Sequence, residues 1–136
     1  MNPVPSIIVS IHPQHARNIL AGRKTVELRR RFPEETVVGG LLLIYSSKPD
    51  QAILGVAWIE AVQKLAVKTL WARHEQKACL TKNAFFDYFA GRSQGFGVIL
   101  GPVVHLTSPI PFRAPRTMRF LRRDSSPARL SDLFDA

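Results

Sequence analysis

Cysteine and acidic residues are scarce in this chain of 136 residues. Cys79 is the only cysteine, so no internal disulfide can form, which fits a reducing cytosol. The richest apolar run, residues 37–45, is far too short to span a bilayer, and the N-terminus lacks a signal-peptide pattern. These absences predict a cytoplasmic protein with no membrane partner.

Metal and phosphate-loop motifs are lacking as well. His12, His15, His74 and His105 do not have the spacing of a metal site, and Cys79 is isolated from them. The sequence has no glycine-rich phosphate loop, nucleophile elbow or helix-turn-helix pattern. We therefore expect no metal and no cofactor.

Positive charge is abundant. The chain has 19 Lys and Arg against 10 Asp and Glu, which gives a net charge of +9. Much of it is arginine in two clusters, at residues 17–31 and 113–129. The planar guanidinium donates two hydrogen bonds to a phosphate at once. The charge balance therefore favours a polyanionic partner, most often nucleic acid.

The hydrophobic pattern predicts a mixed α/β (α+β) fold, a small β-barrel with flanking and inserted helices. Strands are expected at 6–11, 24–30, 41–45, 52–60, 96–100 and 103–106, and helices at 12–21, 67–75 and 82–90. The strands at 41–45 and 52–60 should form an antiparallel hairpin, and Gly101-Pro102 should break the last two strands apart. We expect one domain at residues 1–112 and an arginine-rich arm at 113–136 that packs on it.

Aromatic residues have two interpretations. The stripe of Phe85, Phe86 and Phe89 is more typical of a core than of a base-stacking platform. Tyr45 and Trp58, on neighbouring predicted strands, either stack on a base or complete the core.

The octapeptide at residues 22–29 is the most informative stretch. Gly22 is placed to end the first helix in the left-handed conformation. Beyond it Val26 and Leu28 alternate with polar residues, as in a half-buried strand. The opposite face carries a hydroxyl, a carboxylate and a guanidinium, and an ammonium stands at the strand's start: Thr25, Glu27, Arg29 and Lys24. Such a face is either a polar site or an ordinary solvated surface.

Lys24 and Glu27 are the candidates for catalysis. A lysine in a partly dry cleft can act as a base or nucleophile if its pKa is lowered. A nearby carboxylate would raise that pKa and hold the lysine charged, so the pair fits a binding clamp better. If exposed, the pair would contribute only roughly 0–1 kcal/mol to stability. The predicted ligand-binding set adds the neighbouring polar and basic residues: Arg23, Lys24, Thr25, Glu27, Arg29, Arg30 and Arg31.

At Gly22, Lys24, Glu27 and Arg29 the chain resembles the ASCH superfamily, whose hallmark is Gly-x-Lys-x-x-Glu-x-Arg after a short helix. The resemblance extends over about residues 6–111. That superfamily is similar in fold to PUA domains. The resemblance implies a small β-barrel, a cleft lined by the motif residues, and binding of RNA or a nucleotide.

One branch of the superfamily deacetylates N4-acetylcytidine with a lysine, a threonine and a glutamate. The lysine corresponds to Lys24, but Glu27 stands where those amidohydrolases have threonine. Glu60 and Glu75 are the candidates for the third residue. The departure at Glu27 argues against this activity. Other ASCH proteins have been linked to ribonuclease activity.

Three classes of function follow. The first is a module that binds RNA or a nucleotide. The second is a hydrolase that acts on a modified nucleoside or on RNA. The third is a regulatory module whose basic tail binds DNA. A module that binds oligonucleotides should lose affinity steeply as salt rises, whereas a nucleoside hydrolase should not.

Overall fold

The computed structural model describes residues 5–33 and 38–111 and the backbone of 118–120. The elements, in chain order, are β1 (Ser6–Ile11), α1 (Pro13–Leu20), β2 (Val26–Arg29), β3 (Leu41–Ser46), β4 (Ala52–Ala66), α2 (Val67–His74), α3 (Lys82–Tyr88), β5 (Gln94–Pro111) and β6 (Met118–Phe120). Within these described ranges, no helix is long and apolar enough to cross a bilayer.

The six strands form one sheet in the order β2-β5-β4-β3-β1-β6. Neighbouring strands are antiparallel except β1 and β3, which are parallel. The sheet curls into a half-barrel, with three helices beside it. The predicted mixed α/β small-barrel class is confirmed.

Local sequence explains how the chain enters and leaves α1. Pro13 opens the helix, where its missing N–H costs nothing, and the His12 side chain accepts a hydrogen bond from the N–H of Gln14. Gly22 has a φ of 79°, and its N–H donates to the carbonyl of Ile19 at 3.0 Å. The predicted left-handed glycine after the helix is therefore confirmed.

The predicted hairpin is also confirmed, because β3 and β4 pair in antiparallel register. Gly55 lies where the chain passes close to its neighbour. A Cβ atom on this residue would lie 2.6 Å from the carbonyl oxygen of Val104. Only a residue without a side chain fits this contact between β4 and β5.

Two strands are longer than predicted. β4 continues to Ala66 rather than ending at residue 60, and β5 is one strand rather than two broken at Gly101-Pro102. The register between them shifts on either side of Ile59, opposite this dipeptide. A bulge tolerates a proline that cannot donate to the ladder, so the strand bends without ending. β2 is shorter than predicted, at four residues.

The motif strand β2 lies on an aromatic core. Phe85 of α3 and Phe89, the C-cap residue that follows this helix, are buried, as predicted, and belong to one cluster with Leu70, Val26 and Leu28. The inward-facing residues of β2 therefore fix the strand against α2 and α3. The packing of these apolar residues therefore determines where the polar residues of the motif lie.

The two candidate stacking residues have different positions. Tyr45 is fully buried, so its ring belongs to the core, whereas Trp58 is 40% exposed. Neither residue lines the cavity of the motif described below.

The predicted C-terminal arm lies mostly outside the described residues. Its described part is the backbone of β6, which pairs antiparallel with Ile7–Val9 of β1. This short strand forms the edge of the sheet opposite β2.

Candidate functional site

A cavity of about 340 Å³ lies between the end of β1, the start of α1, the motif strand β2 and helix α3. We call it the motif cavity. Its polar lining residues are Ser10, His12, His15, Lys24, Glu27, Arg29 and Tyr88. The turn after α1 and the short strand β2 bring the motif's charged residues close to the two histidines at the start of α1.

Glu27 lies between two cations in this cavity. Its Oε1 atom is 3.9 Å from Nζ of Lys24, and its Oε2 atom is 3.3 Å from Nη1 of Arg29. Glu27 is 5% exposed, which excludes the interpretation of this strand face as a solvated surface. Two cations around one carboxylate leave a net positive charge in a largely desolvated site, which suits an anion.

Lys24 is almost fully buried at the start of this strand. Its ammonium donates a hydrogen bond to the carbonyl of Ala78. Burial lowers the pKa of Lys24 below its usual value, and Glu27 opposes this shift. Glu27 raises the pKa of Lys24, as expected, but desolvation outweighs this attraction, so the net shift is downward. A lysine with a lowered pKa is a better proton donor than an exposed one.

His15 is a cavity residue that the sequence reasoning considered only as a metal ligand. Burial and then the charge of Lys24 lower its pKa below 6.5, against the opposing effect of Glu27. Its ring lies 6.0 Å from that of His12, in an edge-to-face arrangement. His12 is the N-cap of α1 and His15 lies in its first turn. This spacing of three residues, directly after a strand, was the signal that could have placed both at the cavity.

Two lining residues have buried polar atoms without a hydrogen-bond partner among the described residues, Nδ1 of His15 and Nε of Arg29. Buried polar groups in native structures are nearly always paired, so each such atom needs an explanation. Both atoms belong to side chains at the motif cavity. A polar ligand there would supply the missing partners.

Two predicted ligand-binding residues next to the cavity do not line it. The N–H of Thr25 donates to the carbonyl of Lys77, and its own carbonyl accepts from Leu100. This backbone pairing fixes the start of the motif strand. Arg23 is exposed, and its Nε atom donates to Oδ1 of Asn18 at 3.2 Å.

Arg30 and Arg31 belong to a second, more open pocket beside the first. We call it the basic pocket, because Lys64 and Arg92 line it as well. The structure thus brings Lys24, Glu27 and Arg29 together in the motif cavity and places the next two arginines outside it.

The third residue proposed for an amidohydrolase does not join Lys24 at the motif cavity. Glu60 and Glu75, the two candidates for its third residue, are exposed and do not line the motif cavity. Glu27 accepts a hydrogen bond from Arg29, so it does not act as the hydroxyl of a threonine would.

The fold and the motif cavity define the class of protein. The family model for the ASCH domain matches residues 9–99, and the chain belongs to this family. The match includes the end of β1, all of β2 to β4 and α1 to α3, and the first part of β5, and hence every residue that lines the motif cavity.

Individual relatives come from Zymomonas mobilis. The chain is 34% identical over 93 residues to a protein described as an ASCH domain-containing ribonuclease. The alignment covers 68% of this chain and 62% of that relative, which is less than two thirds of its length.

Solved structures agree with this likeness. The crystal structure of ASCH from Zymomonas mobilis has a TM-score of 0.84 at 29% identity, covering 94% of each chain. A variant of the Zymomonas protein has a TM-score of 0.85 at 28% identity, covering 98% of this chain and 99% of the other.

Proposed function

We propose that this protein binds single-stranded RNA in the motif cavity and cleaves it there. The observation that carries the proposal is the group of Lys24, Glu27, Arg29 and His15 around one desolvated cavity, with polar atoms of His15 and Arg29 left unpaired. A phosphodiester offers the acceptor oxygens that such a site needs. The ribonuclease description of the Zymomonas relative supports the same substrate.

Cleavage requires a base, a cation and a proton donor. His15, whose lowered pKa keeps it neutral at pH 7, takes the proton of a ribose 2′-hydroxyl. The 2′ oxygen attacks the phosphorus, and Arg29 neutralises the charge that builds up on the phosphate oxygens. The bond to the 5′ oxygen breaks, and Lys24 supplies the proton that this leaving group needs. The products are a 2′,3′-cyclic phosphate and a 5′-hydroxyl.

Glu27 positions the two cations. Its carboxylate contacts both Lys24 and Arg29, so it fixes their spacing across the cavity. A carboxylate can also accept a hydrogen bond from the amino group of a cytosine. The remaining predicted residues, Arg23, Thr25, Arg30 and Arg31, support this site or extend it rather than line it. We propose a cytoplasmic location as well, because a single cysteine fits a reducing compartment.

The test uses three strands of one mixed sequence: RNA, 2′-O-methyl RNA and DNA. All three should bind at low salt, with affinity that falls as salt rises. Only the RNA has a 2′-hydroxyl, so only the RNA should be cut, to ends carrying a cyclic phosphate. His15→Gln protein purified in the same way controls for contaminating nucleases.

Three results would count against the proposal. Failure of all three strands to bind at low salt excludes a nucleic-acid site. Binding of RNA that stays intact would leave a binding module without catalysis. Cutting at the wild-type rate by the His15→Gln protein would remove His15 from the mechanism.

A further inference from the structure

The basic pocket adjoins the motif cavity through a contact between Arg30, which lines the pocket, and Tyr88, which lines the cavity. The Tyr88 side chain lines the motif cavity, and its hydroxyl accepts a hydrogen bond from the N–H of Arg30 at 3.1 Å. The guanidinium of Arg30 lies over the same ring, 4.9 Å from its centroid. Arg29 and Arg30 are consecutive, so the chain passes from one site to the other within one residue.

Four cations surround this second pocket: Arg30, Arg31, Lys64 and Arg92. Among the described residues that line it, none is acidic. Nη1 of Arg92 donates to the backbone carbonyl of Arg30 at 3.5 Å, which brings the two arginines to the same wall. Gathering like charges costs free energy, which a bound anion recovers.

The pocket is suited to a phosphate rather than to a base. Its two aromatic residues, Phe32 and Phe96, are 5% and 9% exposed, so their faces are not open for stacking. Nζ of Lys64 lies 5.8 Å from the centroid of the Phe96 ring, so the ammonium places positive charge over that ring. Guanidinium groups instead offer the paired donors that phosphate oxygens accept.

We propose that the basic pocket holds backbone phosphate of the same RNA strand whose neighbouring nucleotide occupies the motif cavity. The preferred substrate is therefore an oligonucleotide that spans both sites, not a mononucleotide or dinucleotide. This inference rests on the proposed function, since it assigns the neighbouring part of that substrate.

The experiment compares a dinucleotide with an octanucleotide, both as uncleavable 2′-O-methyl RNA of mixed sequence. Wild type should bind the octanucleotide much more tightly. The double variant Arg31→Ala/Arg92→Ala should bind it at least about tenfold more weakly, and its salt dependence should fall by about 1.4 for two lost phosphate contacts. Its affinity for the dinucleotide should stay within about twofold, because the motif cavity is untouched.

A matched control removes the same charge elsewhere. Arg73 and Lys77 are exposed and line neither site, so Arg73→Ala/Lys77→Ala has an equal net charge. Equal losses in both double variants would show a general charge effect and overturn the inference. An unchanged octanucleotide affinity in the first variant would do so too, while leaving the motif cavity's function intact.

Two further outcomes are decisive. If neither RNA binds wild type, both this inference and the proposed function fail. If a polyglutamate peptide binds wild type more tightly than the octanucleotide, and the Arg31→Ala/Arg92→Ala variant loses that binding, the pocket serves an acidic protein and the inference is wrong.

Discussion

Nζ of Lys24 lies 3.9 Å from Oε1 of Glu27, and the two side chains are 2% and 7% exposed. Charges are rarely placed so deep unless they are paired or functional. Arg29 holds the other oxygen of the same carboxylate. A site of this kind costs folding free energy, which is typical of a place where chemistry or recognition occurs.

Removing the lysine should affect function more than stability. Lys24→Ala leaves Glu27 paired with Arg29, so we expect a loss of about 1–3 kcal/mol in the free energy of unfolding, as for one unsatisfied buried partner. RNA affinity should fall, and cleavage should fall by about 10²-fold or more, because a proton donor is lost. Denaturant-induced unfolding measures the change in stability, and cleavage assays measure the change in rate. The control is Lys77→Ala, because Lys77 is exposed. A Lys24→Ala protein that cuts RNA normally would contradict the assigned role.

The cleavage rate should rise with pH and level off before neutrality. Burial lowers the pKa of His15 below 6.5, so the neutral base forms as the pH passes through that lowered value. His15→Gln should abolish this rise and slow cleavage by roughly 10²–10⁴-fold. The control is His74→Gln. Burial also lowers the pKa of His74, but Nε2 of its ring is hydrogen-bonded to Oε1 of Gln63 at 2.8 Å. His74 does not line the motif cavity. If His74→Gln changes the pH profile as much as His15→Gln does, His15 is not the base.

Acetylated cytidine should not be turned over. The position at which the amidohydrolases carry threonine holds Glu27, whose oxygens accept from Arg29, and neither Glu60 nor Glu75 lines the cavity. Chromatography of N4-acetylcytidine incubated with the protein should show no cytidine above a blank. Turnover that disappears in Lys24→Ala would show that the chain is an amidohydrolase after all.

Gly55 should tolerate a side chain poorly. A Cβ atom there would meet the carbonyl oxygen of Val104 at 2.6 Å, and backbone cannot move aside cheaply. We expect Gly55→Ala to cost about 1–3 kcal/mol, as overpacking does. Gly101→Ala is the control, because its Cβ meets only the side chain of exposed Glu60, and it should stay within about 0.5 kcal/mol. Equal thermal unfolding temperatures for the two variants would show that the close contact between β4 and β5 does not require glycine at residue 55.

Much of the fold could be predicted because its signals are local. The apolar β-branched run of β1, the left-handed Gly22 and the alternation around Val26 each depend on a few adjacent residues. The lengths of β4 and β5 depend on each other instead. A bulge opposite Gly101-Pro102 allows β5 to continue, and no local pattern shows that a partner strand will accommodate it.

The candidate site was predictable only in part, for a similar reason. Lys24, Glu27 and Arg29 share a short motif, so their proximity follows from sequence spacing. His15 comes from the preceding helix, and its place at the cavity depends on how α1 returns toward β2. The balance that lowers the pKa of Lys24 depends on burial, which one charged neighbour in the sequence does not reveal.

The pairing of β6 with β1 has a consequence for any shortened form of the chain. β1 lies between β3 and β6, and its Ile7, Ile8 and Val9 are almost completely buried. Ending the chain at residue 112 would remove β6 and leave the N–H and C=O groups along one side of these residues unpaired. An apolar strand with an open edge is a template for pairing with another molecule. Such a truncated protein would self-associate strand to strand, even with its motif cavity intact.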